Sequence, residues 1–287
     1  MSAQLRVSSV AEAPAGTPPA ALLWSYAGLF GAPAAYRVLD GERPVAWLCG
    51  VGGGARRRFD ALPERLYGLV PDGEATVDLD ALGAALARTG VAAEVTCAPL
   101  GRYVAADLAA YHRLDTFLVH GAAPGEAEPK LARVGRQGVR KAQQAGVTVR
   151  RAPLADALDE YHAIYADKCA RHDAPAKPRE FFARLAAAFA GAGGGAELFF
   201  GDHAGRAVAA ALVVRAGRYA IFADGSSRQG AWALCPNNLV VWTAARALLE
   251  EGAAVLDYGL SAAGDGGDAR FKAHLGGART PVYVVTA

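Results

Sequence analysis

Hydrophobic and polar residues in the second half of the chain follow a pattern that predicts a series of strands and helices. Short apolar runs bounded by turn residues predict strands, and apolar residues recurring three and four positions apart predict helices. The clearest apolar helix face is predicted after Pro178 and carries Phe181, Phe182, Leu185 and Phe189. In order, the predicted elements are a strand at Val147 to Arg151, helices at Leu154 to about Arg171 and after Pro178, strands at Glu197 to Gly201, Ala207 to Val214 and Arg218 to Ala223, a helix from Pro236, a strand at Ala254 to Leu256, a helix around Lys272 and a strand at Val282 to Val285.

The first half of the chain repeats part of this series in a shorter form, which indicates an internal duplication. The AAPGEAEPK segment, Ala122 to Lys130, fits the joint, because Pro, Gly and polar residues are typical of domain boundaries. We therefore predict a flexible N-terminus over residues 1–20, a shortened first domain over 21–121 and a second domain over 122–287. The elements predicted in the first half are a hairpin near Tyr36 to Val51, a helix at Leu79 to Arg88, a strand at Glu94 to Ala98, a helix near Ala105 to His112 and a strand at Thr116 to Val119.

The last fifty residues place several chemically useful side chains in a fixed order. The helix from Pro236 begins with a residue suited to the first helical position and ends at Gly252. The strand that follows leads into Asp257 and Tyr258, and a glycine-rich loop then leads into a short helix with Phe271 and Lys272. Glycine at a strand exit often means that another group approaches the backbone closely. This order predicts an acyl-transfer site.

The formal net charge is small, +2 over 287 residues, but it is unevenly distributed. From Lys130 to Arg151 the chain carries seven basic residues and no acidic one. Four of the seven fall at helical spacing on one side of a predicted helix: Arg133, Arg136, Arg140 and Lys141. A stripe of one sign is typical of a surface that binds phosphate groups, while the alternative is an ordinary solvated helix face.

Other classes of chemistry lack their signals in this sequence. The four cysteines are dispersed without a C-x-x-C pair, and the six histidines show no metal-ligand spacing, so we expect no metal, no cofactor and reduced thiols. A G-x-S-x-G nucleophile motif is also missing. No apolar run reaches the roughly twenty residues of a membrane helix, and the N-terminus does not resemble a signal peptide. We therefore predict a cytoplasmic protein without a membrane span.

Several segments taken together carry a family resemblance from about Thr116 to the C-terminus. They are RVGRQGVRKAQQAGVTV, Tyr219 with Asp224-Gly225-Ser226, PNNLVVWTAARALLEEG, LDYGL and RFKAHLGG. In this order they resemble the Fem-type transferases and their GNAT-like relatives. The resemblance implies an α/β (α+β) fold of tandem GNAT-like domains, of which the first is shortened here. It also implies transfer of an amino acid from aminoacyl-tRNA to an amine, as in peptidoglycan cross-bridges or peptide antibiotics.

The donor can also be considered from the residues. An acyl-CoA-binding GNAT domain needs a Q/R-x-x-G-x-G/A loop before its central helix, because backbone N–H groups there hold the pyrophosphate. The corresponding segment, GSSRQGAWALCPNN, has a different glycine spacing and a proline that lacks an N–H group. This favours aminoacyl-tRNA as the donor and a small peptide or peptide-like amine as the acceptor. The alternatives are an acyl-CoA-dependent N-acyltransferase with a degenerate loop and a catalytically silent GNAT-like binding module.

Within this interpretation, three residues are predicted to be catalytic. Lys272 is the candidate for stabilising the tetrahedral oxyanion, and the alternative is a solvated lysine. Asp257 and Tyr258 would position the acceptor amine or take its proton, although Asp257 could instead cap a turn.

The predicted substrate-binding residues are the basic stripe, Ser226, Asn238, Trp242 and Phe271. Three of them have a structural alternative. Ser226 could be a plain turn serine, Asn238 could cap its helix, and Trp242 could belong to the core. Phe271 would pack beneath Lys272.

Overall fold

A computed structural model describes residues 5–10, 29, 32–52, 67–89, 94–121, 129–190 and 194–287. The fold is mixed α/β, as predicted, and the chain divides into two units. The first unit comprises Met1–Thr116, Leu260–Gly266 and Thr280–Ala287, and the second comprises Phe117–Gly259 and Gly267–Arg279. The predicted joint lies mostly outside the described residues, as does most of the predicted N-terminal segment. The three domain boundaries therefore stay predictions.

The first unit is built from short strands around one helix. Strands β1 (Leu5–Val10), β2 (Ala32–Asp40), β3 (Arg43–Gly52) and β4 (Leu69–Pro71) form an antiparallel sheet in that order. Strand β5 (Thr76–Asp78) pairs with β7 (Arg102–Val104), and β6 (Glu94–Thr96) pairs with the C-terminal strand β15 (Ala278–Thr286). Strand β14 (Ser261–Ala262) pairs with the first half of β8 (His112–His120).

Helix α1 (Leu79–Ala87) begins and packs as its sequence predicts. The Asp78 carboxylate accepts a hydrogen bond from the Ala81 N–H at 3.0 Å, which caps the helix. Leu79, Leu82 and Leu86 are fully buried in the core of the first unit. The second helix predicted in this half, near Ala105 to His112, is wrong: the structure has only a 3₁₀ turn at 108–111. None of its residues is buried, so it lacks the apolar face that stabilises an α-helix.

The second unit is a twisted sheet with helices packed on it. The strand order is β8, β13 (Val255–Asp257), β12 (Tyr219–Ser227), β11 (Arg206–Ala216), β10 (Gly194–His203) and β9 (Thr148–Pro153). All neighbours are antiparallel except β12 and β13. Its helices are α2 (Arg133–Gln144), α3 (Leu158–Arg171), α4 (Arg179–Phe189), α5 (Pro236–Glu250) and α6 (Gly267–His274).

Apolar side chains fix these helices on the sheet. Helix α5 buries Val240, Ala244 and Leu248 against a core that includes Phe199 and Leu256. Helix α4 buries all four of the apolar residues that predicted it. The Phe182 ring meets two tyrosines of α3 edge-to-face, with ring centroids 4.9 and 5.1 Å apart.

Helix α2 is joined to the end of α6 by close backbone contact. The Ala132 N–H, just before α2, donates to the His274 carbonyl oxygen at 3.0 Å. A Cβ atom on Gly135 would lie 2.1 Å from the same oxygen, so only glycine fits there. Helix α2 also crosses the start of α5, because a Cβ atom on Gly138 would lie 2.7 Å from the Asn238 side chain.

Strands β12 and β13 diverge after a short parallel pairing. Tyr219 to Ile221 pair with Val255 to Asp257, and β12 then continues from Phe222 to Ser227. The chain after β13 turns away at Gly259, whose φ of 78° is accessible to glycine at little cost. The carboxyl ends of two parallel strands therefore open at this point, and ligands commonly bind at such ends in α/β proteins.

Candidate active site

The opening between β12 and β13 has a tightly fixed wall. The Gly259 N–H donates to Asp257 Oδ1 at 2.7 Å, which closes the turn after β13. A Cβ atom on Gly259 would lie 3.3 Å from the Phe222 carbonyl oxygen, so the turn passes close to β12. Glycine at the strand exit therefore permits a close backbone approach in this structure.

Lys272 is held at this turn by α6. Its Nζ donates to the Gly259 carbonyl oxygen at 3.0 Å and to Asp268 at 2.8 Å, and its side chain is 12% exposed. The ammonium group is thus largely shielded from water, and an opposite charge one helical turn away accompanies it. A shielded cation beside the end of a strand can stabilise negative charge that develops on a bound carbonyl oxygen.

Asp257 and Tyr258 lie at the same turn, but both are buried. Asp257 is fully buried and accepts a hydrogen bond from the Tyr219 hydroxyl at 2.6 Å, so it ties β13 to β12. Tyr258 donates its hydroxyl to the Leu275 carbonyl oxygen at 3.1 Å, and burial raises its pKa above the usual range for tyrosine. These contacts position the wall of the opening, and the catalytic roles assigned to the two residues stay predictions.

The other predicted contacts are dispersed around the second unit. Phe271 is partly buried and packs on the α5 core, one residue before Lys272. Ser226 lies within β12, not in a turn, and its buried hydroxyl donates to Asp224 Oδ2 at 2.6 Å. Asn238 lies in the first turn of α5, where its N–H donates to the Cys235 carbonyl oxygen at 3.1 Å.

Two residues of the basic stripe, Arg136 and Arg140, line a groove on α2. A cavity of about 670 Å³, which we call the α2 groove, lies between α2, the segment before it and Trp242 of α5. Its lining residues are Pro129, Lys130, Leu131, Arg136, Val139, Arg140, Gln143 and Trp242. Arg133 and Lys141 are exposed on the same helix but do not line the groove. Trp242 is half-buried, and the Arg246 guanidinium lies 5.0 Å from its ring centroid.

Two arginines of the basic segment are neutralised by distant acids and do not belong to the stripe. Arg150 binds Asp202 at 2.8 Å, and Arg151 binds Glu197 at 2.5 Å. Arg151 also pairs with Glu251, which lowers the pKa of that carboxyl. The positive charge available for phosphate therefore lies in α2 and at Lys130.

A cluster on α3 and β12 was not identified from the sequence. Lys168 of α3 forms an ion pair with Asp224 of β12, beyond the residues that pair with β13. Lys177, in the segment between α3 and α4, lies near the same carboxylate, and burial lowers its pKa to about 8. The sequence held one signal for this cluster. Only five of the 30 basic residues are lysines, and Lys168 and Lys177 are two of the five. Lysine differs from arginine because it can lose its proton in a protein.

Metal and membrane sites can be assessed for the part of the chain that the structure describes. No group of three or more potential metal ligands occurs among those residues. None of the described helices is long and apolar enough to cross a bilayer. The four cysteines are free thiols, of which Cys235 is the least buried.

Comparison with known proteins agrees with this architecture. The structure resembles FemX, with a TM-score of 0.59 and 13% identity over 93% of this chain and 91% of that one. It also resembles the C-terminal domain of a putative lysylphosphatidylglycerol synthetase from Agrobacterium fabrum, with a TM-score of 0.55 and 13% identity over 94% of this chain and 87% of that one. A tandem GNAT protein from the clavulanic acid biosynthesis pathway gives a TM-score of 0.52 and 14% identity over 98% of both chains. At these identities the likeness shows the fold.

Sequence comparisons identify the family. No curated protein matches the chain. The model of the acetyltransferase (GNAT) domain matches residues 129–273, which is just over half of the chain. The matched range includes α2, the sheet from β9 to β13 and Lys272, while the finer Fem-type resemblance stays a prediction. The chain therefore belongs to the acetyltransferase (GNAT) domain family and has the fold of an acyltransferase.

Proposed function

We propose that this protein transfers an amino acid from aminoacyl-tRNA to the amine of a small peptide or peptide-like acceptor. The observation that carries this proposal is the α2 groove, in which Lys130, Arg136 and Arg140 lie beside Trp242. Three cations with one aromatic ring suit a carrier that presents several phosphates and a base, because phosphate contacts provide affinity and rings can stack on bases.

The start of α5 supports a donor other than acyl-CoA. The first helical residue is Pro236, which has no N–H group, and the Asn238 N–H is occupied by the Cys235 carbonyl oxygen. Helix α2 also lies against Asn238 through Gly138. A helix start with so few available N–H groups is poorly suited to hold a pyrophosphate.

Lys272 supplies the chemistry in this proposal. The acceptor amine attacks the ester carbonyl and the C–N bond forms. The C–O bond to the tRNA ribose then breaks, and one amine proton ends on the ribose oxygen. The oxyanion of the tetrahedral intermediate would lie at Lys272, whose ammonium group is shielded and held by the Gly259 carbonyl. Aminolysis of an ester is downhill, so orientation and charge stabilisation are the main requirements.

The donor is tested by supplying tRNA charged with radiolabelled amino acids and a mixture of small peptide amines. We expect labelled amide product that disappears when RNase is added before the reaction. Acyl-CoA supplied after RNase treatment is the comparison arm. Product formed in that arm would show that the protein is an acyl-CoA-dependent N-acyltransferase instead. The absence of product with either donor would favour a binding module.

The basic stripe is tested with the triple variant R136A/R140A/K141A, in which Arg136 and Arg140 line the groove and Lys141 is exposed on the same helix. Each lost phosphate contact should reduce the slope of log affinity against log salt by about 0.7 to 0.9. Arg184→Ala is the matched control, since Arg184 is exposed on α4. We expect weaker tRNA binding and a shallower slope for the triple variant alone. A slope equal to that of wild type would show that the stripe is an ordinary solvated helix face.

A further inference from the structure

A second cavity of the second unit lies at the end of its sheet, where β10 turns into β11. Its volume is about 460 Å³, and we call it the hairpin pocket. It is lined by His203 and Arg206 of that turn, by Asp167 of α3, and by Arg228 with part of the 3₁₀ turn Gln229–Leu234. Small-molecule sites commonly measure about 300–1,000 Å³, so this cavity is large enough for a small ligand.

The β10–β11 turn places His203 and Arg206 side by side. Only Ala204 and Gly205 separate them, with φ angles of 51° and 77°. Positive φ at both central residues is typical of a type I′ turn, which joins two strands tightly. His203 and Arg206 pair directly across this turn, and directly paired residues of a hairpin share one face.

Arg228 is held beside the same hairpin by backbone oxygens of β11. Its N–H donates to the Val208 carbonyl oxygen at 2.9 Å, and its Nε donates to the Ala207 carbonyl oxygen at 3.2 Å. Arg206 is the residue before Ala207 and begins β11. Two arginines that are distant in sequence therefore line one cavity.

The charge of the hairpin pocket is positive. Its carboxylate, Asp167, is already paired with Arg171 at 2.7 Å, and the Arg171 side chain is only 16% exposed. Among the residues that the structure describes, neither Arg206 nor Arg228 forms an ion pair with a carboxylate. A cavity with uncompensated charge of one sign attracts ligands of the opposite sign.

An exposed aromatic ring lies beside this pocket. The Arg171 guanidinium, which holds Asp167, also donates to the Ser227 carbonyl oxygen at 2.6 Å and lies 5.4 Å from the Trp232 ring centroid. Trp232 belongs to the 3₁₀ turn that lines the pocket and is 51% exposed. In the described part of the chain, no other Phe, Tyr or Trp side chain is as exposed. An indole in this place offers an apolar surface to the organic part of a ligand.

We propose that the hairpin pocket binds a phosphorylated small molecule, with its phosphate on Arg206 and Arg228 and its organic part against Trp232. A phosphate monoester carries about −1.5 to −2 charges at pH 7, so one phosphate balances both arginines, whereas a carboxylate balances only one. The guanidinium fork also matches the oxygens of a phosphate group. This site shares no lining residue with the α2 groove and goes beyond the proposed acyl transfer.

The first test is calorimetric titration of the full-length protein with phenyl phosphate, which joins a phosphate to one ring. Arg206→Ala should weaken binding by about tenfold to a hundredfold, because a hydrogen bond to a charged group is lost. Arg206 is exposed, so the variant should keep the wild-type melting temperature. Arg184→Ala, at an exposed position of α4, is the matched control and should bind as wild type does. Benzoate, with a single charge on the same ring, should bind more weakly than phenyl phosphate.

Two further variants separate the two parts of the ligand. Trp232→Ala should weaken binding of phenyl phosphate and leave binding of inorganic phosphate unchanged, since only the ring contacts the indole. Arg228→Lys keeps the charge and removes the planar fork, so it should weaken binding of both probes. Equal effects of Trp232→Ala on the two probes would overturn the placement of the organic part.

The outcomes distinguish this site from the proposed donor site. Phenyl phosphate that fails to bind, or that binds Arg206→Ala as tightly as wild type, overturns the proposal, and equal affinity for benzoate overturns the phosphate assignment. The triple variant R136A/R140A/K141A should bind phenyl phosphate normally, and a loss there would place the phosphate in the α2 groove instead. A nucleic-acid backbone is the other source of phosphate. If Arg206→Ala lowers the salt slope of tRNA binding while phenyl phosphate does not bind, the pocket belongs to the tRNA surface. These titrations need no acyl transfer, so failure of the donor assay leaves them unaffected.

Discussion

Replacing Lys272 by methionine tests the proposed oxyanion site most directly. Methionine keeps an unbranched stem of similar length and removes the ammonium group, which donates to the Gly259 carbonyl and to Asp268. Loss of one preorganised stabiliser typically lowers kcat by about a hundredfold to a thousandfold, or about 2.7–4 kcal/mol of barrier. We expect a loss of that size in single-turnover assays.

The same change has a smaller expected effect on stability. Asp268 is 58% exposed, so its pair with Lys272 contributes about 0.3–0.5 kcal/mol. The hydrogen bond to the Gly259 carbonyl is worth more, about 1.5–3 kcal/mol, because its donor is charged. The melting temperature should therefore fall by several degrees, at about 2–4 °C for each kcal/mol in a domain of this size.

Two further variants separate charge from folding at Lys272. Lys272→Arg should recover part of the rate, because the planar guanidinium places its charge differently. Asp268→Asn removes the exposed partner and leaves the ammonium, so it should reproduce the small stability change with little loss of rate. Lys272→Met with wild-type kcat would refute the assignment of this residue to the oxyanion.

Three other predictions concern the framework of the second unit. Gly135→Ala should destabilise by about 1–3 kcal/mol, measured by urea unfolding, because its Cβ would lie 2.1 Å from a carbonyl oxygen at the end of α6. Tyr219→Phe should cost about 1.5–3 kcal/mol in the same assay, since the buried carboxylate of Asp257 loses a donor 2.6 Å away. A hydrogen bond from Arg151 lowers the pKa of Glu251. The stability that this carboxylate contributes is therefore present above its pKa in the unfolded chain and is lost as pH falls through its pKa in the folded protein. Glu251→Gln should flatten this acid limb of the curve of stability against pH. An unchanged acid limb would contradict the role of its arginine partner.

Helices with a clear apolar face could be predicted from the sequence. The helix after Pro178 buries all four of its predicted apolar residues, and the helix from Pro236 begins at that proline. Both signals are local, because periodicity and a proline at the first helical position act within a few residues. The order of elements in the last fifty residues placed Lys272 on a short helix, which the structure contains as α6.

Features that depend on distant partners could not be predicted in this way. Asp224-Gly225-Ser226 has the composition of a turn, yet Gly225 and Ser226 pair with Ala211 and Ala210 inside the sheet. Arg150 and Arg151 belong to a basic segment that contains no acidic residue, yet each pairs with a carboxylate from a distant part of the chain. The low pKa of Lys177 likewise depends on burial created by packing, which no local pattern records.

The contact between Gly135 and the end of α6 has a consequence for which donors can react. Helix α2 carries two arginines of the groove, and α6 carries Lys272. Since the two helices meet backbone to backbone, main-chain contacts fix the distance between α2 and the part of α6 that carries Lys272. In the proposed reaction this distance determines how far the phosphates of a carrier must lie from its reactive carbonyl. A carrier whose phosphates lie too close to its reactive carbonyl would occupy the groove and leave the carbonyl short of Lys272.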